Sequence, residues 1–336
     1  MNREAVVPES AMDGEEFVRA TEPYRRELLA HCYRMLGSFD DATDVVQETY
    51  LRAWRAYDAF EGRSSVRTWL YRIATNTCLT ALTHHSRRVL PSGLGAPEPD
   101  PTAAPVPAAP GVRWIQPVPD ALFGPGTEAA DPASVVLARE DLRLALVASL
   151  QYLSGTQRAV LILRDVLAFT APEVAAMLGT TTAAVKSTLQ RARTRLRQLA
   201  PAAEDITQPT APEAHHVLDQ YIAAFQNADA SALEHLLRRD ATLEATPFTT
   251  WFAGNHTCVP YLRTWVLGSP GDWLMLPTRA NNQPAAMTYA RTPQATYHAY
   301  GLAVLTVTTT GIRHIHAFHD PSLAELFGFP PTIGPA

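Results

Sequence analysis

TAPEVAAMLGTTTAAVKSTLQRARTRLRQL, residues 170–199, decides what kind of chain this is. Val174, Leu178, Val185 and Leu189 recur at the spacing by which two short helices pack on each other. Between them Gly179 supplies the positive φ that closes a helix, with Thr180 and Thr181 as the turn. Thr170 is the expected cap of the first helix and Thr182 that of the second. Caps, glycine turn and apolar spacing agree on a helix-turn-helix. Its second helix carries Lys186, Arg191, Arg193, Arg195 and Arg197 and no acid, and Lys186 is the only lysine in the chain. That density of cations on a recognition helix is the electrostatic mark of duplex DNA binding. Side chains near the start of such a helix reach base edges, and its far end lies along phosphates. Thr182, Lys186, Ser187 and Gln190 are therefore assigned to the groove, and Arg191, Arg193 and Arg195 to the backbone.

The whole chain, at 336 residues, has a formal net charge of −5, so its basicity is local. No run of apolar residues is long enough for a membrane span, and the acidic start MNREAVVPESAMDGEE lacks the apolar core of a secretion signal. Cys32, Cys78 and Cys258 are odd in number, far apart and without CxxC spacing, which fits reduced thiols rather than disulfides or a zinc site. These features point to a cytoplasmic, multidomain protein.

Upstream, residues 15–90 read as helical, with apolar stripes at Leu28, Leu29, Cys32, Leu36, then Val45, Val46, Tyr50, Trp54, then Trp69, Leu70, Ile73, Leu79. Residues 91–132 hold eleven of the 27 prolines and few large apolar side chains, which predicts an extended tether. One island in it, VRWIQPVP (112–119), is apolar enough to dock. Residues 133–200 are helical again, and 200–212 form a second linker. Residues 213–329 open with an amphipathic helix (Leu218, Tyr221, Ile222, Phe225) and continue in strand-like runs at 241–246, 285–291, 297–308 and 311–319. The expected fold is thus two all-α domains followed by an α+β domain.

Residues 40–79 are split in charge. Asp40, Asp41, Asp44 and Glu48 cluster where a helix begins, whereas Arg63, Arg67, Arg72, Arg87 and Arg88 occupy an acid-free stretch from Gly62 to Val89 with Trp69 and Tyr71 among them. Cations beside aromatic rings suit separated single-stranded bases. The plainer alternative makes Trp69 and Tyr71 core residues, and spacing leaves both open.

At these residues the chain resembles the extracytoplasmic-function class of bacterial RNA polymerase sigma factors. DATDVVQETYLRAWR (41–55) is similar to the region-two helix that docks on core polymerase, and SSVRTWLYRIATN (64–76) to the segment that melts and reads the −10 element. Residues 153–196 resemble region four, which reads the −35 element as duplex. The resemblance implies that Asp44, Gln47, Glu48, Leu51 and Trp54 contact core RNA polymerase, and that Arg63, Arg67, Trp69, Arg72 and Asn76 face promoter DNA. It also implies that the tether, with Glu98, Asp100, Asp120, Glu128 and Asp131 against Arg113 alone, follows the polymerase's RNA path. Two features depart from the class: a tether longer than usual, and about 120 residues after the helix-turn-helix. ATLEATPFTTWFAGNHTCVPYL (241–262) and the 297–320 strands resemble the cone-shaped SnoaL-like, NTF2-like fold.

That fold implies an apolar pocket, for which Glu244, Trp251, His256, Tyr289, His298 and His316 are the candidate lining residues, with a small-molecule ligand as a partner to test. They show no catalytic spacing, and His314 and His316 with His319 nearby lack a third convergent metal ligand, so neither cofactor, metal nor enzymatic activity is expected. The leading expectation is a sigma factor whose fused domain modulates it. The alternatives are a helix-turn-helix regulator acting without polymerase, and an isomerase-like or ligand-binding domain carried on a DNA-binding module.

Overall fold

A computed structural model describes residues 9–83, 86–123, 142–199 and 210–334. The expected tether's end (124–132), the start of the second helical block (133–141) and most of the second linker (200–209) lie outside the described residues. The chain divides into two compact units, residues 1–87 with 122–199 and residues 88–121 with 200–336. No helix among the described residues is long and apolar enough to cross a membrane.

The first unit is helical. Helices α1 (Glu9–Thr21), α2 (Arg25–Leu36), α3 (Phe39–Arg55) and α4 (Val66–Thr83) come from its first block. Ser38 caps α3 by accepting from the Asp41 amide at 3.2 Å, and the first-turn acids sit where the helix dipole favours them. Leu28, Met35, Val46, Leu70, Tyr71 and Ala74 are buried where α2, α3 and α4 meet. The second block adds α5 (Leu144–Leu150), α6 (Gly155–Leu161), α7 (Ala171–Met177) and α8 (Thr182–Leu199). Ser154 with Gln157, and Thr170 with Glu173, form reciprocal capping boxes that start α6 and α7.

These two blocks pack on each other within the unit. Arg158 of α6 is 3% exposed and donates to the Met35 carbonyl at the end of α2, to Gln151 Oε1 at 2.7 Å and to the Gln151 and Leu153 carbonyls at 3.2 Å. Burial lowers its pKa to about 10, so it stays charged at neutral pH.

The second unit holds a seven-stranded sheet: β1 (Leu237–Thr246), β2 (Trp251–Ala253), β3 (Trp273–Ala280), β4 (Gln283–Arg291), β5 (Tyr297–Thr308), β6 (Gly311–Phe318) and β7 (Thr332–Ile333). Its order is β2-β1-β6-β5-β4-β3 with β7 on β5, and only β1 and β6 pair in parallel. Gly301 sits at a bulge in β5, where a Cβ would lie 1.9 Å from the Phe318 carbonyl. One face packs on α9 (Ala211–Gln226), α10 (Ala230–Leu236) and α11 (Asn255–Tyr261), burying Leu218, Tyr221, Phe225, Leu243, Leu305 and Ile315.

The opposite face carries the strap, residues 88–121, which departs from the extended tether expected of its composition. Prolines remove donors, but the remaining amides and carbonyls find partners in the sheet's loops. Thr249 N donates to the Val106 carbonyl at 2.8 Å and Ala108 N to the Pro247 carbonyl at 2.9 Å. Asn281 donates its amide to the Val118 carbonyl and accepts from the Val118 amide through Oδ1, both at 3.0 Å. Asp120 pairs with Arg279 at 2.9 Å. Ile115 and Val118 from the apolar island are 1% and 0% exposed, so burial offsets the ordering cost that composition alone suggested.

Candidate nucleic-acid interface

The recognition helix is α8. Thr181, rather than Thr182, caps it, accepting from the Ala184 amide at 3.1 Å. Three consecutive threonines made that assignment ambiguous by one residue, and the correction places Thr182 inside the first turn, half-buried. Val174, Val185, Leu189 and Ala192 are buried between α7 and α8, and Leu178 is half-buried. That packing turns Lys186, Ser187, Gln190, Arg191, Arg193 and Arg195 outward, all exposed. Arg193 differs from its neighbours: its guanidinium makes two bonds, at 2.7 and 2.8 Å, to the Asp165 carboxylate. Asp165 lies in the segment Ile162–Val166 that follows α6, and no sequence periodicity links it to α8.

The first block presents two faces. Asp44, Gln47, Leu51 and Trp54 are exposed on α3, and Glu48 is half-exposed and paired with Arg52 at 2.6 Å. Their i, i+3, i+4, i+7 spacing places them on one helix face. Leu51 and Trp54 are 51% and 45% exposed, unusual for such large apolar side chains on a well-packed helix. Val18 of α1 is likewise open, and Phe17 braces Trp54 edge-on at 5.2 Å.

The residues expected at −10 DNA divide. Arg63 is exposed and paired with Glu61, and Arg72 is exposed. Arg67 is held by Glu27 at 3.1 Å and stacks on the rings of Tyr71 and Phe169 at 5.0 and 4.7 Å. Asn76 donates to the Met177 carbonyl of α7 at 3.2 Å. Trp69 is a core residue, 5% exposed with its ring 4.7 Å from Phe60, and offers no face to a base. Tyr71 is fully buried beneath Arg67. Phe169, which sequence reasoning passed over, covers this face from the second block.

In the second unit the six pocket candidates do not converge. Glu244, Trp251 and His316 share the strap-covered face through register pairing of β1 with β2 and β6. The Glu244 carboxylate accepts from the Ser92 amide of the strap at 2.8 Å, and burial pushes its pKa upward. His316 lies 3.9 Å from it, with its pKa lowered to about 4 by burial. Trp251 donates to the Gly95 carbonyl at 2.9 Å. Tyr289 donates elsewhere, to the Pro330 carbonyl at 2.8 Å, while His256 and His298 are exposed. No group of three or more potential metal ligands converges among the described residues.

Comparison with known proteins identifies the helical blocks. The Sigma-70 region 2 family model matches residues 21–88 and the Sigma-70 region 4 model residues 143–196. The ECF RNA polymerase sigma factor SigG of Mycobacterium tuberculosis is 48% identical over 320 residues, 95% of this chain and 85% of SigG. The chain belongs to the extracytoplasmic-function sigma factors. A second relative of this sigma family, SigJ of the same organism, is 31% identical over 66% of this chain and 62% of its own length. The crystal structure of Mycobacterium tuberculosis SigJ has the same fold, with a TM-score of 0.59 at 22% identity, covering 94% of this chain and 99% of that one. A sigma factor performs no catalysis of its own; it supplies promoter recognition to the polymerase that does.

Proposed function

We propose that this sigma factor docks on core RNA polymerase through Asp44, Gln47, Glu48, Leu51 and Trp54, and reads a promoter with both helical blocks in the cytoplasm. Arg63, Arg67, Arg72 and Asn76 serve the −10 element. Thr182, Lys186, Ser187 and Gln190 read −35 base edges, and Arg191, Arg193 and Arg195 hold the phosphates. The observation that carries this reading is the pairing, in one compact unit, of an open basic recognition helix with the exposed Leu51–Trp54 face. The C-terminal domain modulates the factor through contact with its own linker, which the dispersed pocket candidates favour over a ligand-driven mechanism.

Run-off transcription with core polymerase, comparing the full chain with a truncation after Glu204, tests the whole reading. The truncation removes the sheet from beneath the strap and exposes Ile115 and Val118, so the two proteins should differ in yield or promoter choice. Identical output under all conditions removes any regulatory role for the domain. Lys186→Ala or Ser187→Ala should relax −35 base preference by ~1–3 kcal/mol per lost contact. Unchanged discrimination refutes the placement of α8 in the groove.

A further inference from the structure

The turn between α6 and α7 presents Phe169 to the first block through an unfavourable backbone. Ala168 sits at φ +56°, in the left-handed region that a Cβ disfavours. Two bonds hold the turn: the Phe169 amide donates to the Leu163 carbonyl at 3.0 Å, and the Phe169 carbonyl accepts from Arg164 Nη1. The ring that results is 4% exposed and lies 5.1 Å from the ring of Tyr71, at 65° to it. The Arg67 guanidinium is 4.7 Å from Phe169 and 5.0 Å from Tyr71, so the three groups form a nearly equilateral triangle. Two of its corners are fixed within the first block. Glu27 of α2 accepts from Arg67 Nε and Nη2 at 3.1 Å and from the Tyr71 hydroxyl at 3.2 Å. Only the third corner, Phe169, comes from the second block.

We propose that Phe169 is a base mimic, filling in the free factor the stacking place that one unstacked −10 base takes beside Arg67 and Tyr71. The helical block that carries the −35 reader is then also the lid of the −10 site. This rests on the −10 reading of α4 given above. A guanidinium held next to an aromatic ring attracts any flat π-face, a phenyl ring or a nucleobase alike. Asn76 repeats the pattern one helical stretch further on. Its amide donates to the Met177 carbonyl of α7, an oxygen acceptor such as a base edge or a phosphate would offer. Both covered side chains of α4 are therefore met by groups of the kind that DNA presents. Arg63 and Arg72 stay exposed, which leaves two cations to make the first contact with a strand before the lid is displaced.

The test measures single-strand binding by the full chain without polymerase, using a fluorescein-labelled pool of random DNA 12-mers. Phe169→Leu keeps most of the apolar volume and so guards against loss of the fold, while Phe169→Ala uncovers the place fully. Both should bind the pool about fivefold or more tighter than the unmodified chain, the low end of what one stacked base contributes. The gain should vanish when either is combined with Arg67→Ala, because the place uncovered lies beside that guanidinium. Unchanged affinity in both single variants shows that the ring only fills the joint and excludes no base. A gain that survives Arg67→Ala puts the new binding elsewhere. Either result overturns the proposal. Arg67→Ala holoenzyme that transcribes as well as the unmodified one instead removes the −10 reading beneath it.

Discussion

The two surfaces of the first unit proposed to face DNA carry the same kind of residue and end up in opposite states. On α8 the cations stand in solvent, and among the described residues only Arg193 is engaged by an acid outside its own helix. On α4, Arg67 is 34% exposed and clamped between Glu27, Tyr71 and Phe169, and Asn76 is bonded to the other block. The difference lies in what surrounds the cation. The apolar residues of α8 are segregated to its buried side, leaving a purely polar outer face. In α4 aromatic residues are interleaved with arginines, and a guanidinium beside aromatic rings is as attractive to Phe169 of the same chain as to an unstacked base. The α8 cations are open as folded, while Arg67 and Asn76 of α4 are in contact with the second helical block.

Arg158 joins the second helical block to α2 of the first, and removing it should have the largest effect. Its guanidinium reaches four carbonyl oxygens, one of them on α2 and all in a buried setting. Arg158→Met preserves much of the side-chain volume but leaves those acceptors unsatisfied, costing about 4 kcal/mol of first-unit stability. Urea unfolding of the full chain, followed by a probe in the first unit, measures it. A loss below about 1 kcal/mol would mean the blocks are held by apolar contact alone.

Acid should distinguish the two surfaces next. His31 lies beneath the covered face, its ring 5.2 Å from Tyr71 and its Nε2 2.9 Å from Thr75 Oγ1. Burial, then Arg34 and Arg67, lower its pKa to about 3. Because that value is below the unfolded one of about 6.5, the folded state disfavours the proton: the stabilisation is complete above pH 6.5 and is lost as pH falls toward 3. By pH 4 the loss from this residue is about 3 kcal/mol. No histidine lies on α8. Stability measured between pH 7 and 4 should therefore fall less steeply in His31→Gln than in the wild type, and equal slopes would show that His31 is not the responsible group.

How much of this was legible depends on whether the signal was local. The helix-turn-helix could be read because cap, glycine and apolar spacing sit within 30 residues, and only the choice between Thr181 and Thr182 went astray. Only the family resemblance put Leu51 and Trp54 on one docking face; periodicity grouped Trp54 with the apolar stripe of Val45 and Val46, and the structure corrects this by leaving Trp54 45% exposed. The strap could not be read as docked, because its partners are backbone and side-chain groups some 140–160 residues away, and proline content speaks only to local stiffness. Ile115 and Val118 were the available clue, as an apolar island in a polar run. Strand β3 was missed because Pro277 interrupts its pattern, yet β3 is an edge strand, where a missing amide is tolerated. Trp69 and Tyr71 left a real ambiguity, since a ring in a core and a ring under a base require the same residue. Their burial decides it only for the closed arrangement of the two blocks.

The smallest effect tests the open surface by its one exception. If Arg195 contacts phosphate freely, Arg195→Ala lowers the slope of log Kobs against log salt by ~0.9 for a −35 duplex. Arg193 is already neutralised by Asp165 through paired bonds at 2.7 and 2.8 Å, so fewer counterions are released when it meets phosphate. Arg193→Ala should therefore lower the slope by distinctly less. Asp165→Asn removes the competing charge while keeping a polar group of the same size, and so should raise both affinity and slope. In that background Arg193→Ala should recover the full decrement seen for Arg195→Ala. Holoenzyme titrations of the duplex from low to moderate salt, with the four variants side by side, give the four slopes. Equal slopes for Arg193→Ala and Arg195→Ala in the native background would mean that the Asp165 pair opens on DNA. Every cation on α8 would then count alike, and the contrast between the two surfaces would be complete.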